Sequence, residues 1–244
     1  MTKTEQIGHV GHRERVQEKF LKLTDMDVMP DYEFLELILM KSIPRLDVKP
    51  LAKSLLDRFG SLLAVLTASE EELTAFKHLK KSTVVLFKII LETNRRLLLE
   101  KIKEKPIIEE WNDLVDYCCM VLQNSRLENC MVLYLNGRLN LIRRDILNTG
   151  TSDRVFLYPK EVLKQALLLG ANSVVVVHNH PSGSVEPSQQ DLVLTANLQK
   201  ILRAGGIALL DHLIIGTGRR VYSFTNHGHL AVLAADTNIN ETDA

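Results

Sequence analysis

The sequence predicts an α+β protein in two parts, an all-helical N-terminal domain followed by a mixed α/β domain. Three observations predict it. The first hundred residues carry apolar side chains at helical spacing and no strand signal. The segment KIKEKPII (101–108) is charged and contains Pro106, which reads as a linker. Beyond it, β-branched runs such as SVVVV (173–177) alternate with helical stretches. The expected domains are 1–105 and 106–230, with a small, polar and mobile tail over 231–244.

Each element follows from local pattern. DYEFLELILMK (31–41) groups Phe34, Leu35, Leu37, Ile38 and Leu39, with Asp31 as a candidate cap. VKPLAKSLLDRF (48–59) puts Leu51, Leu55, Leu56 and Phe59 on one face, and Gly60 stops it. Ser69 followed by Glu70–Glu72 starts a helix with acids at its positive end. Residues 82–100 form the longest helix of this half. In the second half, 113–124 reads as helix and NCMVLYL (129–135) as strand. Asn136–Gly137 is a hairpin turn signal, with the second strand over 138–147. Pro159 opens a helix that Gly170 ends. The run 173–177 has no polar residue and fits a strand buried on both faces. A helix over 188–204 and strands over 207–216 and 221–224 complete the domain.

Composition bounds the function. With 45% hydrophobic and 25% charged residues over 244 positions, the chain has the make-up of an ordinary globular protein. No run of about 18 apolar residues is present, so no membrane span is expected. The first twenty residues lack the apolar core of a secretory leader, and a cytoplasmic location is expected. Cys118, Cys119 and Cys130 form no CxxC pair and sit among apolar neighbours, as buried structural thiols do. Net charge is zero, which argues against strong non-specific binding to nucleic acid. Basic residues gather mildly over 77–105, where a solvated helix face is the simpler reading.

The stretch HNHPSGSVEPSQQD (178–191) concentrates the chemistry. His178 and His180 follow the buried strand, and residues i and i+2 of an extended chain point to one side. PSGS (181–184) turns the chain, and Ser188 is placed to cap the next helix with Asp191 in its first turn. From the residues alone this is either a metal site or a strand end, a turn and a helix cap. Three protein ligands with one position left open describe a catalytic rather than a structural zinc.

His-x-His-Pro, then Ser, two residues and Asp is the JAMM (MPN+) metalloprotease motif, and the whole phrase resembles its RadC-family version. RERV near the start, LAKSLLDRFGSL, LNTGTSD with YPKEVLKQAL, and LLDHLIIG with YSF also resemble RadC segments in the same order. The resemblance implies an MPN (JAB/JAMM, cytidine-deaminase-like) fold for the second domain. It implies His178, His180 and Asp191 as ligands of Zn2+, and Ser188 as the serine that supports an oxyanion. Glu128, in RLENCMVLYLN, matches the upstream glutamate that acts as general base; Glu109, Glu110 and Glu161 do not match in this way. The implied substrate is a polypeptide or another amide. His212 is a candidate outer partner of the metal site, and a plain structural histidine fits it equally.

RadC proteins resembling this one usually carry an N-terminal helix-hairpin-helix with a glycine-containing turn. The corresponding stretch here, AFKHLKKSTVVLF (75–87), has no glycine. A tight hairpin with positive φ is harder without one. Lys80 and Lys81 remain possible DNA contacts. The alternative function is therefore a DNA-associated accessory protein whose metal site is structural or non-catalytic.

Overall fold

The computed structural model describes residues 3–24, 29–123, 125, 127–148 and 157–230. The chain divides into two compact units, 1–94 and 95–244. The expected tail over 231–244 and part of the LNTGTSD segment lie outside the described residues.

The first unit contains α1 (Lys3–Lys22), α2 (Asp31–Ser42), α3 (Lys49–Phe59), α4 (Leu62–Thr67), α5 (Glu70–Thr74) and the start of α6 (Lys81–Glu104). Its core gathers Leu35, Leu39, Val48, Ala52, Leu55, Val65, Leu73 and Phe87, all essentially sealed from solvent. Ser69 and Glu72 form a complete capping box at α5, and Gly60 ends α3 with φ 85°. The cap expected from Asp31 is not formed: Pro30 is the N-cap of α2 and Asp31 is the first helical residue. Proline suits this entry because its φ is already fixed near the required value. Arg13 ties α1 to the end of α2 by donating to the carbonyls of Met40, Ile43 and Leu46.

The glycine-free stretch 75–87 does turn tightly. His78 adopts φ 78°, a left-handed conformation that glycine usually supplies. Lys77, Lys80 and Lys81 are exposed around it.

The second unit is a five-stranded mixed sheet between helical layers. Its elements are α7 (Trp111–Leu122), β1 (Asn129–Leu135), β2 (Leu141–Asn148), α8 (Pro159–Leu169), β3 (Ser173–Asn179), α9 (Gln189–Ala204), β4 (Ala208–Ile215) and β5 (Val221–Ser223). Strand order is β2-β1-β3-β4-β5, with β3 and β4 parallel and the other pairs antiparallel. Period-two alternation assigns the two faces. Cys130, Val132, Tyr134, Val174 and Val176 pack with residues of α8 and α9; Met131, Leu133, Leu135, Val175 and Val177 pack with α7. Every residue of β3 is buried, as a strand covered on both faces requires.

Two expectations are corrected here. KIKEKPII is not an exposed linker. Its first four residues continue α6, Ile102 and Ile107 are fully buried, and the Ile107 N–H donates to the Leu139 carbonyl. The lysines and glutamates hid two core positions inside a charged segment. Nor is Asn136–Gly137 a two-residue hairpin. The loop spans 136–140, with Leu139 at φ 62° and the Asn136 side chain accepting from the N–H groups of Arg138 and Asn140.

Candidate metal site

Parity along β3 aims the site. His178 shares its face with Val174 and Val176, and so points to the α9 side, while Asn179 points the other way. Antiparallel pairing sets His178 opposite Cys130 at the start of β1, and parallel pairing sets Val176 beside His212. After His180 the chain turns at Pro181–Gly183. Gly183 takes φ 77°, and its carbonyl lies so close to Gly216 that a Cβ there would stand 2.6 Å from it. Arg220 also donates to this carbonyl, at 2.8 Å. The turn is thereby held against the end of β4.

Ser188 then caps α9. Its hydroxyl oxygen accepts from the Asp191 N–H, and its own N–H donates to Asp191 Oδ2 at 2.7 Å. The cap thus orients the carboxylate toward the end of β3. His178 Nε2 lies 3.1 Å from His180 Nε2 and 3.2 Å from Asp191 Oδ1; His180 Nε2 lies 3.4 Å from Asp191 Oδ2. These three residues form a cluster that could hold a metal ion. His178 and Asp191 are buried and His180 is half-buried.

Electrostatics agree with the geometry. Burial alone would raise the Asp191 carboxyl, but hydrogen bonds from His178, His180 and Ser188 hold it well below the usual carboxylate range. The Asp191 hydrogen bond raises the His180 imidazole above its ordinary value. Burial lowers His212 well below the histidine range. It also raises the thiols, to about 11 for Cys119 and about 12 for Cys130. All three cysteines are free and buried, which suits the structural reading.

The remaining expected residues fall as follows. Glu128 immediately precedes β1, half-buried, and its charge acts on both His180 and Cys130. Glu110 is paired with Lys105, and Glu161 with Lys164 on α8. Ser188 departs from expectation in one respect. Its hydroxyl donor is not free, because Oγ also bonds Asp191 Oδ2 at 2.6 Å. His212 is fully buried, 2.8 Å from His178 Nδ1, with its ring stacked on Phe224.

Two residues went unassigned in the sequence. Asn179 is 1% exposed, and its side chain brackets Glu128. Its Oδ1 accepts from the Asn129 N–H at 2.9 Å and its Nδ2 donates to the Leu127 carbonyl at 3.1 Å. Only its position between the two histidines hinted at this. Thr195 stands 2.7 Å from His212 Nδ1. Its signal was helical spacing, four residues after Asp191 and seven after Ser188.

The fold and the cluster place this half of the chain among JAB-like α/β domains with a site able to take a metal. The RadC-like JAB domain family matches residues 108–229. A UPF0758 protein of Ruegeria pomeroyi is 41% identical over 219 residues, 90% of this chain and 97% of the relative. A UPF0758 protein of Rhodobacter capsulatus is 41% identical over 215 residues, 88% of this chain and all of the relative. The chain belongs to the RadC family.

Proposed function

We propose that the protein is a zinc-dependent hydrolase of amide bonds, peptidase-like or isopeptidase-like. One observation carries the reading. Ligands about 2.0–2.1 Å from a tetrahedral centre stand about 3.3–3.4 Å apart. His178 Nε2 and His180 Nε2 stand 3.1 Å apart, close to one edge of that figure, and the Asp191 carboxylate presents Oδ1 to the first at 3.2 Å and Oδ2 to the second at 3.4 Å. Two imidazoles and one carboxylate suit zinc, and three protein ligands leave a fourth position for water or substrate. A bound zinc would acidify a water toward about pKa 7 and polarise the scissile carbonyl.

The chain's own residues supply the rest. Glu128 accepts the proton of the attacking water and passes it to the leaving amine. Asn179 holds the backbone on either side of Glu128 and so fixes the base against the end of β3. Ser188 anchors Asp191 through both N–H and O–H. If the hydroxyl turns to donate to an oxyanion, the Ser188 N–H still holds the carboxylate. The substrate is a polypeptide or other amide, met in a reducing cytoplasm where the three thiols stay free. Among the described residues no helix is long and apolar enough to cross a membrane.

The test is zinc per chain in purified protein. About one zinc is expected, lost in His178→Ala and Asp191→Ala with the fold retained. Amide hydrolysis is then screened, with Glu128→Gln as a variant that keeps zinc and loses turnover by about 10²–10⁴-fold. Wild-type protein that stays metal-free in excess zinc would sink the reading. A second reading, docking of the helical unit on DNA, draws on the exposed Lys77, Lys80 and Lys81 around the His78 turn. It requires salt-sensitive DNA affinity that falls in a Lys80→Ala/Lys81→Ala variant.

A further inference from the structure

Thr195 and His212 touch neither the donor cluster's open side nor solvent, yet the direction of their hydrogen bonds can be read. Thr195 Oγ1 lies 2.6 Å from the Asp191 carbonyl oxygen and 2.7 Å from His212 Nδ1. A carbonyl only accepts, so the hydroxyl gives its single proton to Asp191. His212 Nδ1 must then carry a proton and donate it to Thr195. The ring is fully buried, and a charged imidazolium sealed from water would be costly. Its other nitrogen, Nε2, is therefore an acceptor. That nitrogen faces His178 Nδ1 at 2.8 Å, so His178 Nδ1 is the donor.

We propose that Thr195 and His212 are positioning residues that fix the orientation and proton placement of His178. The bonds run one way, from His178 Nδ1 to His212, from His212 to Thr195, and from Thr195 to the backbone of Asp191. Nδ1 of His178 is committed as a donor, and Nε2, the nitrogen inside the donor triangle, is the one left to offer a lone pair. Metal-binding histidines generally fix their tautomer by donating from the second nitrogen to a carboxylate, a carbonyl or water. Here another histidine takes that place, and the chain ends on the backbone of a second ligand. Two of the three ligands are thereby linked behind the site. The inference rests on the metal reading above for its purpose, but not for its geometry.

The experiment is ¹⁵N NMR of the imidazole rings in the full-length protein, metal-free and with zinc added, together with zinc affinity. Wild type should show His212 protonated at Nδ1 and bare at Nε2, with a proton on His178 Nδ1, in both states. Thr195→Val keeps the shape and removes the hydroxyl. It should populate the Nε2–H form of His212 and weaken zinc binding about 10–100-fold. Thr195→Ser should restore both. A proton on His212 Nε2 in wild type overturns the proposal, as does wild-type zinc affinity in a folded Thr195→Val. If Thr195→Val fails to fold, the wild-type ring spectra and Thr195→Ser decide. Failure of the metal reading is seen separately, as no zinc uptake by a wild type whose ring protons are placed as described.

Discussion

Asn179 illustrates how one side chain organises the site from behind. Three of its polar contacts go to the segment 125–129, and two of them flank Glu128. Asn179→Leu takes the side-chain acceptor from the Asn129 N–H and leaves the Leu127 carbonyl only its bond from the Asn129 side chain, at about 1–3 kcal/mol for a group left unsatisfied. The expected outcome is a lowered melting temperature with zinc stoichiometry intact, because no metal ligand is touched. Loss of zinc in a folded Asn179→Leu would contradict this division of roles. His180 and Asp191 give a pH signature in metal-stripped protein. The folded His180 value is raised, so its stabilisation is full below the ordinary histidine pKa of about 6.5 and is lost as pH rises through the folded value. The folded Asp191 value is lowered, so its stabilisation is present above the ordinary value of about 3.9 and is lost as pH falls below it. Burial holds the folded His212 value well below the ordinary one, so its stabilisation is lost as pH falls through about 6.5. Metal-stripped protein should therefore melt highest near about pH 6.5–7, and His180→Asn should flatten the alkaline limb. A melting temperature that keeps rising from about pH 7 to about pH 8 would contradict the sign.

At the scale of elements, the first turn of α9 is both a helix cap and the mount of a candidate metal ligand. Ser188→Ala removes the cap oxygen and with it both hydroxyl bonds to Asp191, leaving the Ser188 N–H alone on the carboxylate. It should cost about 1 kcal/mol of stability and loosen zinc binding, while Ser188→Thr should keep most of both. Thermal melts and zinc titration check the pair. The turn between β3 and α9 depends on a close approach of Gly183 and Gly216. Gly216→Ala drives a methyl into the Gly183 carbonyl and should destabilise by about 1–3 kcal/mol, moving His180 with the turn. Much of this was legible in the sequence. The ligand spacing, the Ser188 cap, the buried β3 and the stops at Gly60 and Gly170 all express short-range pattern, which a linear reading captures. Helical spacing sets Thr195 one turn below Asp191, but the roles of Asn179 and Thr195 also depend on partners 50 and 17 residues away, brought near by strand parity and register, which spacing does not show. The Asn136 loop differs from the expected turn for a related reason: the Asn136 side chain adds two bonds to the backbone turn bond from Leu139, and Leu139 takes the left-handed position.

At the scale of the molecule, charge misled where burial decides. KIKEKPII has the composition of a linker, but Ile102 and Ile107 belong to the core beneath the sheet. Lys101 and Lys105 pair with Asp113 and Glu110 at 2.7 Å each, so the charges of this segment lie along α7's first turn. A fragment starting at residue 95 should fold and keep the metal site. One starting at residue 109 loses both isoleucines, each worth roughly 1.5–3 kcal/mol of burial, and should be markedly less stable or unfolded. Circular dichroism melts of the two fragments make the comparison. Equal stability would mean that the end of α6 contributes little to the second unit.

The capping box at Ser188 bears on how the site would handle an ion. Asp191 is aimed by hydrogen bonds that exist without any metal, and His178 is set by a strand buried on both sides, with His180 in the turn that follows it. A metal-loaded form would then need no change of backbone. Exchange of one divalent ion for another would proceed in the folded protein, without passage through a denatured state. The occupant would then follow the supply of metals in the surrounding medium, rather than being sealed in when the chain first folds.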